Sequence, residues 1–152
     1  MHARGIIHRD IKPDNILLKD KQALKVVIAD MELACRTDDQ AEILKKCGTP
    51  GFVAPEILYD KPFTPKADIF SLGCLLFNLI TSSTLFTGKS NYTMLYSNKY
   101  TNPISKVQIK VKNVSPDFKD LLLKMMNKNP EARPSADQCL LHRWFAKDPS
   151  AL

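Results

Sequence analysis

The chain has 152 residues, of which 44% are hydrophobic, and its 22 Lys and Arg against 16 Asp and Glu give a net charge of +6. This composition predicts one globular domain with a real core and excludes a disordered chain. The longest apolar stretch, residues 72–80, is interrupted by Asn78 and is too short to span a bilayer, so no membrane partner is expected.

The first motif in chain order is His-Arg-Asp-Ile-Lys-Pro-Asp-Asn at residues 8–15. Pro13 disfavours a helical backbone at Lys12, so the segment is held extended and the side chains of Asp10 and Lys12 point the same way. Asn15 adds an amide oxygen, a donor that Mg²⁺ accepts. The order and spacing of these polar residues are too specific to be accidental.

A β-hairpin is predicted next, from residues 15–18, a five-residue connection at 19–23, and residues 24–29, which are rich in β-branched side chains. This hairpin would deliver Asp30 at a strand end close to Asn15, where the two could share a metal ion. The alternative for Asp30 is an acidic turn residue that ends a strand.

The third block is Cys-Gly-Thr-Pro-Gly-Phe-Val-Ala-Pro-Glu at residues 47–56. A turn would explain its glycines and Pro50, but not the Ala-Pro-Glu that follows. Together the three blocks resemble the catalytic loop, the Asp-Phe-Gly motif and the end of the activation segment of eukaryotic serine/threonine protein kinases. Residues 48–56 and the closing His-x-Trp-Phe at 142–145 are most similar to the calcium/calmodulin-dependent group.

The resemblance implies an α+β, mainly α fold, the C-terminal lobe of a protein kinase, over residues 1–146. Residues 147–152 would be a short tail, and the N-terminal lobe would be absent. It implies ATP and Mg²⁺ as cofactors and a protein Ser/Thr substrate. The resemblance implies that Asp10 and Lys12 are catalytic. It also implies that the cofactors are bound by Lys12, Asn15, Leu17 and Asp30. Of these, Asn15 and Asp30 would bind the metal ion and Leu17 would contact the adenine.

Further roles are implied by the same resemblance. Asp14 would face the substrate, and Thr49 would hydrogen-bond toward Asp10 and Lys12. Four residues would be structural: Arg9, which in the family receives a phosphorylated activation loop, Asp68, which bonds the catalytic-loop backbone, and Glu56 with Arg133, which form an ion pair.

Besides Met31, a modest replacement of the phenylalanine of Asp-Phe-Gly, three positions depart from the family pattern. Glu32 replaces the glycine of Asp-Phe-Gly, where a side chain is expected to cost roughly 1 kcal/mol or more in backbone strain and to add a charge beside the nucleotide. Lys45 stands where many relatives carry the modified threonine, so we expect no switching by the usual loop phosphorylation. Asn78 replaces an acid that is frequent in kinases with basic substrates.

The remaining sequence predicts helices. Thr64-Pro65 begins one, with Thr64 as the capping hydroxyl. Ser115-Pro116 begins a second, and Ser135 to Gln138 resembles a capping box that opens a third. Between the first two, the only helix predicted lies near residues 92–98.

The four cysteines lack paired CxxC spacing, so free thiols and an intracellular, cytoplasmic location are expected. Cys47 is either a reactive thiol beside the activation loop or an ordinary loop residue. Lys and Arg are scattered without a stripe or interleaved aromatic residues, so no nucleic-acid partner is expected.

Three functional interpretations remain open at this point. The first is a serine/threonine kinase whose 152 residues alone transfer little phosphate, because they contain no glycine-rich loop and no strand lysine. The second is a non-catalytic, pseudokinase-like scaffold. The third is a module that docks onto another kinase, or onto a missing N-lobe, through apolar surface of the helix that begins at Thr64.

Overall fold

A computed structural model describes residues 1–146 of the chain, so the predicted tail at 147–152 lies outside the described residues. In this range short strands come first and α-helices follow, an α+β fold with more helix than strand. The strands are β1 (Ile6–Ile7), β2 (Ile16–Asp20), β3 (Lys25–Ile28) and β4 (Cys35–Arg36). The helices are α1 (Pro65–Thr81), α2 (Asn91–Tyr100), α3 (Pro103–Lys110), α4 (Pro116–Met125), α5 (Ala136–Leu140) and α6 (Arg143–Ala146). Single 3-10 turns span His2–Arg4, Pro13–Asn15, Glu42–Leu44 and Pro55–Tyr59.

Strands β2 and β3 form the predicted antiparallel hairpin. Ile16 pairs with Ile28 and Leu17 with Val27, and the register becomes irregular between Leu18 and Asp20. The carboxylate of Asp20 accepts hydrogen bonds from the backbone of the connection, which stabilises the turn. Because β-branched residues favour extended backbone, the hairpin forms where the sequence indicates, within two residues at each end.

A second antiparallel pair, β1 with β4, was not predicted. Ile6 pairs with Arg36 and Ile7 with Cys35. Two-residue strands are too short to show an alternating pattern, so the sequence carries no signal for them. The pair holds the residues before the catalytic-loop motif against the chain that follows Asp30.

Helix α1 is the centre of the core. Phe70 and Phe77 on this helix are fully buried, and they pack in one cluster with Leu122 and Met126 from α4 and its end. Gly73 allows α1 and α4 to approach closely, because a Cβ at that position would lie 2.7 Å from the Cγ of Met126. The predicted cap at Thr64 is wrong in one respect: Thr64 precedes the helix, but its side chain makes no capping hydrogen bond.

Helices α4 and α5 begin where the sequence predicts, with Ser115 and Ser135 as their caps. Helix α2 is longer than the predicted 92–98 and begins with a capping box between Ser90 and Thr93. Ser135 and Gln138 form the predicted box at α5. Helix α3 was missed because it is short and buries only Pro103 and Val107. Within residues 1–146, no helix is long and apolar enough to cross a membrane.

A buried ion pair connects distant parts of this body. Arg133 is 1% exposed and binds both carboxylate oxygens of Glu56, at 2.8 and 2.9 Å. It also donates to the backbone oxygens of Lys66 and Asn127, at 2.7 and 3.0 Å, and its guanidinium lies 4.9 Å from the ring centroid of Phe70. The planar fork of arginine suits this set of acceptors, so one side chain joins the 55–59 turn, α1 and the chain after α4.

We expect Glu56→Gln to lower the free energy of unfolding by about 3–5 kcal/mol, because it leaves the buried Arg133 charge without its counter-ion. Urea unfolding followed by circular dichroism measures this change. Asp38→Asn is the matched control, since it breaks an exposed carboxylate–arginine pair and should leave the midpoint unchanged. Equal effects of the two substitutions would contradict the structural role of the buried pair.

Candidate active site

The backbone of residues 8–10 is held by the carboxylate of Asp68, in the first turn of α1. Asp68 is 4% exposed and accepts hydrogen bonds from the backbone N–H of His8 at 2.8 Å and of Arg9 at 2.9 Å. The ring of His2 lies 2.8 Å from the same carboxylate. Arg9 has φ 68°, a left-handed conformation that costs a non-glycine residue about 1–3 kcal/mol. The two hydrogen bonds that Asp68 accepts keep the loop in this strained form.

The Arg9 side chain anchors the segment between Asp30 and residue 47. Its guanidinium donates to the backbone oxygens of Leu33 and Glu42 and, at 3.1 Å, to the Glu42 carboxylate. Glu42 also binds Lys45. The hydrogen bond from Lys45, followed in size of effect by that from Arg9, holds the pKa of Glu42 below its usual value. The arginine is therefore already paired with a carboxylate of the chain itself.

Two side chains, one from the same loop and one from a distant part of the chain, meet at the carboxylate of Asp10. Thr49 donates to one carboxylate oxygen at 2.6 Å and Lys12 to the other at 2.7 Å, and Lys12 also contacts the Thr49 hydroxyl at 3.1 Å. Burial alone would raise the pKa of Asp10, but the hydrogen bonds from Lys12 and Thr49 outweigh it and lower the pKa. The hydrogen bond to Asp10 raises the pKa of Lys12. At neutral pH the centre is a carboxylate that accepts from an ammonium and a hydroxyl.

Gly48 makes the approach of Thr49 possible. Its φ is 103°, and a Cβ on it would lie 2.9 Å from the backbone oxygen of Arg9. A side chain at residue 48 would therefore push the two segments apart.

Asn15 and Asp30 lie beside this centre. The Asn15 amide nitrogen donates to Asp10, at 2.9 Å to its backbone oxygen and 3.3 Å to its carboxylate. The backbone oxygen of Asn15 accepts from Ala29 at 2.8 Å, and the Ala29 oxygen lies 2.9 Å from the His8 ring. Asp30 follows directly, is exposed, and is close enough to contribute to the raised pKa of Lys12. Among residues 1–146, no group of three or more His, Cys, Asp or Glu side chains could hold a metal ion.

The strain predicted at Glu32 is absent. Glu32 is not among the non-glycine residues with positive φ between residues 1 and 146, whereas Asp30 is, with φ 61°. The left-handed conformation therefore falls on an aspartate, a residue that tolerates it better than most. The Glu32 backbone N–H donates to the Asp30 carboxylate at 3.3 Å, and its side chain is exposed.

The other predicted residues lie at the edges of the site. Leu17 is 50% exposed on β2, and Asp14 is exposed in the turn before Asn15. The four cysteines are free thiols. Burial raises the pKa of Cys47, which favours the ordinary loop residue over the reactive thiol.

Two contributors were missed by the sequence reasoning, His2 and Glu42. The signal for Glu42 was its spacing of three residues from Lys45, which suits an ion pair, but nothing local pointed to Arg9 as its second partner. His2 lies 66 residues from Asp68, and no sequence pattern connects them.

The comparisons with known proteins agree with this arrangement. A family model described as "Protein kinase domain" matches residues 1–145. The chain belongs to the eukaryotic protein kinase family. It is 35% identical over 147 residues to a probable myosin light chain kinase of Dictyostelium discoideum, covering 95% of this chain and 45% of that protein. It is 37% identical over 153 residues to CBL-interacting protein kinase 29 of Oryza sativa subsp. japonica, covering 98% and 32%. CBL-interacting serine/threonine-protein kinase 13 of Arabidopsis thaliana is 35% identical over 151 residues, covering 96% and 28%.

The chain spans less than half the length of each of these curated relatives. The names of the Arabidopsis thaliana relative and of probable serine/threonine-protein kinase 2 of Plasmodium falciparum, 36% identical over 148 residues, indicate a serine/threonine protein kinase.

The Lys12 contact makes a prediction about Asp10. A carboxylate whose pKa is lowered on folding adds stability above its unfolded pKa of about 3.9, and that stability is lost as the pH falls through the folded pKa. We expect Lys12→Met to raise the Asp10 pKa, because the substitution removes the donor and the charge while burial remains. Titration of the Asp10 carboxyl carbon by NMR measures the shift.

Lys21→Met, in the exposed hairpin connection, is the control and should leave the Asp10 titration where it is. An unchanged Asp10 pKa in Lys12→Met would show that the contact has no electrostatic effect.

Proposed function

We propose that residues 1–146 are the C-terminal lobe of a serine/threonine protein kinase, which transfers the γ-phosphoryl group of ATP to a protein hydroxyl. The observation that carries this proposal is the Asp10 carboxylate, which Thr49 and Lys12 hold from two other positions in the chain. Phosphoryl transfer depends on positioning and charge more than on covalent chemistry by the protein, and a buried, oriented carboxylate next to an ammonium supplies both.

Each of these side chains has a role in the proposed reaction. Asp10, ionised because its pKa is lowered, accepts and orients the proton of the attacking hydroxyl. Lys12 carries the positive charge that meets the γ-phosphate. Thr49 links the activation segment to Asp10, so that the substrate surface and the acceptor are positioned together. Asp14, exposed beside them, faces the substrate.

The donor set beside Asp10 fits Mg²⁺ and a nucleotide. Asn15 uses its amide nitrogen on Asp10, which leaves its amide oxygen for a cation, and Asp30 adds an exposed carboxylate. Magnesium typically takes one or two such oxygen ligands together with phosphate oxygens and water. When bound, Mg²⁺ neutralises charge on the phosphates. Leu17, half exposed on β2, offers the apolar contact for the adenine.

We also propose that the 152 residues alone transfer phosphate negligibly. They contain neither a glycine-rich loop nor a strand lysine, which cover and position the nucleotide in this family. Bound ATP would lie on an open surface beside the hairpin, whose Val26 and Ile28 are also about half exposed. An N-terminal lobe, or another kinase that supplies one, is the partner that would close this surface. The free thiols suit an intracellular, cytoplasmic setting.

A pseudokinase-like scaffold is the second candidate, favoured by one observation. The exposed Glu32 places an additional carboxylate two residues from Asp30, where it opposes the binding of a phosphate chain. The two candidates differ in whether Mg²⁺-dependent transfer occurs once the nucleotide site is complete.

A chimera tests the proposal directly. Residues 1–146 replace the aligned segment of CBL-interacting serine/threonine-protein kinase 13, with which the chain aligns over 151 residues. We expect this chimera to phosphorylate seryl or threonyl peptides and the 152-residue chain to be inactive. Asp10→Asn in the chimera should reduce kcat by at least about a hundredfold, because the proton acceptor is lost.

The chimera with Glu32→Gly is the matched comparison. If the original chimera is folded but inactive and Glu32→Gly restores transfer, the scaffold interpretation is correct. Activity of the 152-residue chain that disappears with Asp10→Ala would contradict the proposed dependence on a second lobe.

We further propose that the activation segment needs no phosphorylation to be held in place. In the kinase family the arginine at this position binds the phosphate of a phosphorylated activation loop. Here the Arg9 guanidinium is in an ion pair with Glu42, which also binds Lys45. A glutamate carboxylate supplies the negative charge that a phosphate group would otherwise bring.

Glu42→Gln should therefore loosen residues 33–46, because Arg9 loses its anionic partner while its backbone acceptors remain. Hydrogen–deuterium exchange read by mass spectrometry is expected to be several-fold faster in this segment and unchanged in α4. Asp38→Asn is the control, because its exposed pair with Arg36 does not involve Arg9 or Glu42. Equal exchange in Glu42→Gln and the original chain would contradict the anchoring role.

A further inference from the structure

The net positive charge of the chain is concentrated between Asp68 and Asp117, in a stretch that contains no acidic residue. Residues 1–68 contain equal numbers of acidic and basic residues, while residues 69–116 contain five lysines and no Asp, Glu or Arg. Basic residues occur throughout the chain, whereas acidic residues are absent from this interval. Helices α2 and α3 lie within it. The five lysines lie between residues 89 and 112, on α2, α3 and the adjoining loops, so nearly all of the net charge of +6 belongs to this part of the chain.

The tyrosines of the chain are exposed on the same side of the fold. Tyr92, Tyr96 and Tyr100 recur every four residues along α2 and are 76%, 57% and 62% exposed. The rings of Tyr96 and Tyr100 are in contact, with centroids 4.5 Å apart. Tyr59, from the neighbouring turn, is 49% exposed, and its hydroxyl donates to the backbone oxygen of Lys99 at 3.4 Å. All four tyrosines of the sequence are thus exposed on or beside α2.

Lysines join these rings into one surface. The Lys99 ammonium lies 4.5 Å from the Tyr59 centroid and 6.0 Å from that of Tyr100. Lys128 donates to the Lys99 backbone oxygen at 2.8 Å, and burial lowers its pKa. Neither Lys99 nor Lys128 forms a salt bridge with any of residues 1–146, so the charge of each half-buried ammonium is not paired with a carboxylate.

A pocket of about 540 Å³ adjoins this surface, within the size range of ligand-binding pockets. Tyr59, Pro62 and Pro130 give it apolar walls, and Lys61 and Lys128 line it as well. Its acids are Glu56, which is neutralised by Arg133, and Glu131.

We propose that this tyrosine–lysine surface, comprising Tyr59, Lys61, Tyr96, Lys99, Tyr100 and Lys128, is a docking site for an acidic segment of a partner protein. An apolar side chain of the segment fills the pocket between Tyr59 and the two prolines, and its carboxylates lie against the lysines. Exposed tyrosines are typical of binding interfaces because they bury large area at little entropic cost. The complementary charge of an acidic segment accelerates association and fixes its orientation.

Two other anionic partners fit less well. Nucleic acids are bound preferentially through arginine, which is absent from residues 69–116. A helix that lies in a membrane interface typically has a continuous apolar face. On α2 the exposed tyrosine rings each carry a polar hydroxyl group. A concave pocket beside the tyrosines suits the side chain of a polypeptide better than either.

Fluorescence anisotropy with the full 152-residue chain tests the proposal. The probe is a fluorescein-labelled dodecapeptide of glutamates with one central phenylalanine, and the comparison peptide has glutamine in place of every glutamate. We expect the acidic peptide to bind and the glutamine peptide to bind at least about tenfold more weakly. Lys61→Glu with Lys99→Glu should weaken the acidic peptide at least about tenfold, and Glu131→Gln should tighten it.

The matched control reverses two exposed charges elsewhere, with Lys19→Glu near the end of β2 and Lys21→Glu in the hairpin connection. Equal losses in both double variants would mean general attraction by net charge and would overturn the proposal. It is equally overturned if the glutamine peptide binds as well as the acidic one, or if single-stranded DNA or phosphatidylserine vesicles bind more tightly and are released by the same variants.

Backbone NMR of the unsubstituted chain keeps the test independent of variant folding. Shift changes on adding the acidic peptide should concentrate in residues 59–62, 92–100 and 128–131. Changes confined to residues 8–30 would place the peptide in the proposed nucleotide site and overturn the docking surface. The proposal does not depend on phosphoryl transfer, so an inactive chimera would leave it standing.

Discussion

The geometry of the site depends on one carboxylate that faces two backbone amides. Asp68 belongs to the most buried helix of the molecule, and its hydrogen bonds keep His8 and Arg9 in a turn that the chain would not otherwise adopt. Because α1 is fixed in the core through Phe70 and Phe77, the turn inherits the rigidity of the core. Side chains that leave this turn, Asp10 above all, are therefore oriented before any ligand arrives, which is the condition for efficient electrostatic assistance.

Two arginines extend this control to the rest of the chain, each through a carboxylate and backbone oxygens. Arg133 connects the 55–59 turn, the start of α1 and the chain after α4, and Arg9 anchors the segment between the hairpin and Thr49. Their surroundings differ: Glu56 is buried, whereas Glu42 is at the surface and shares its charge with Lys45. The first pair therefore contributes mainly to folding, and the second sets how firmly an exposed segment is attached.

Sequence reasoning predicted the features that local rules encode. The hairpin follows from β-branched residues around a polar connection, and α1, α4 and α5 follow from their starting residues. The convergence of Asp10 and Lys12 was expected from the extended backbone before Pro13, whereas the approach of Thr49 was expected from family resemblance alone. The two-residue strands, α3 and the contacts of His2 and Glu42 were not predicted, because they arise from packing between distant segments and leave no periodic trace. The prediction of strain at Glu32 was wrong because it assumed that Glu32 adopts the positive φ of the glycine it replaces, and Glu32 does not.

The hairpin carries a consequence for handling the protein. Leu18, Leu24 and Val26 expose 47%, 76% and 57% of their surface, and a two-stranded ribbon has an unpaired edge on each side. Such edges can pair with a strand from a neighbouring chain, and burial of the surrounding leucine and valine side chains stabilises that contact. Self-association at high concentration should therefore begin at the ribbon, while the lysine-rich helices repel one another and keep the rest of the molecule apart.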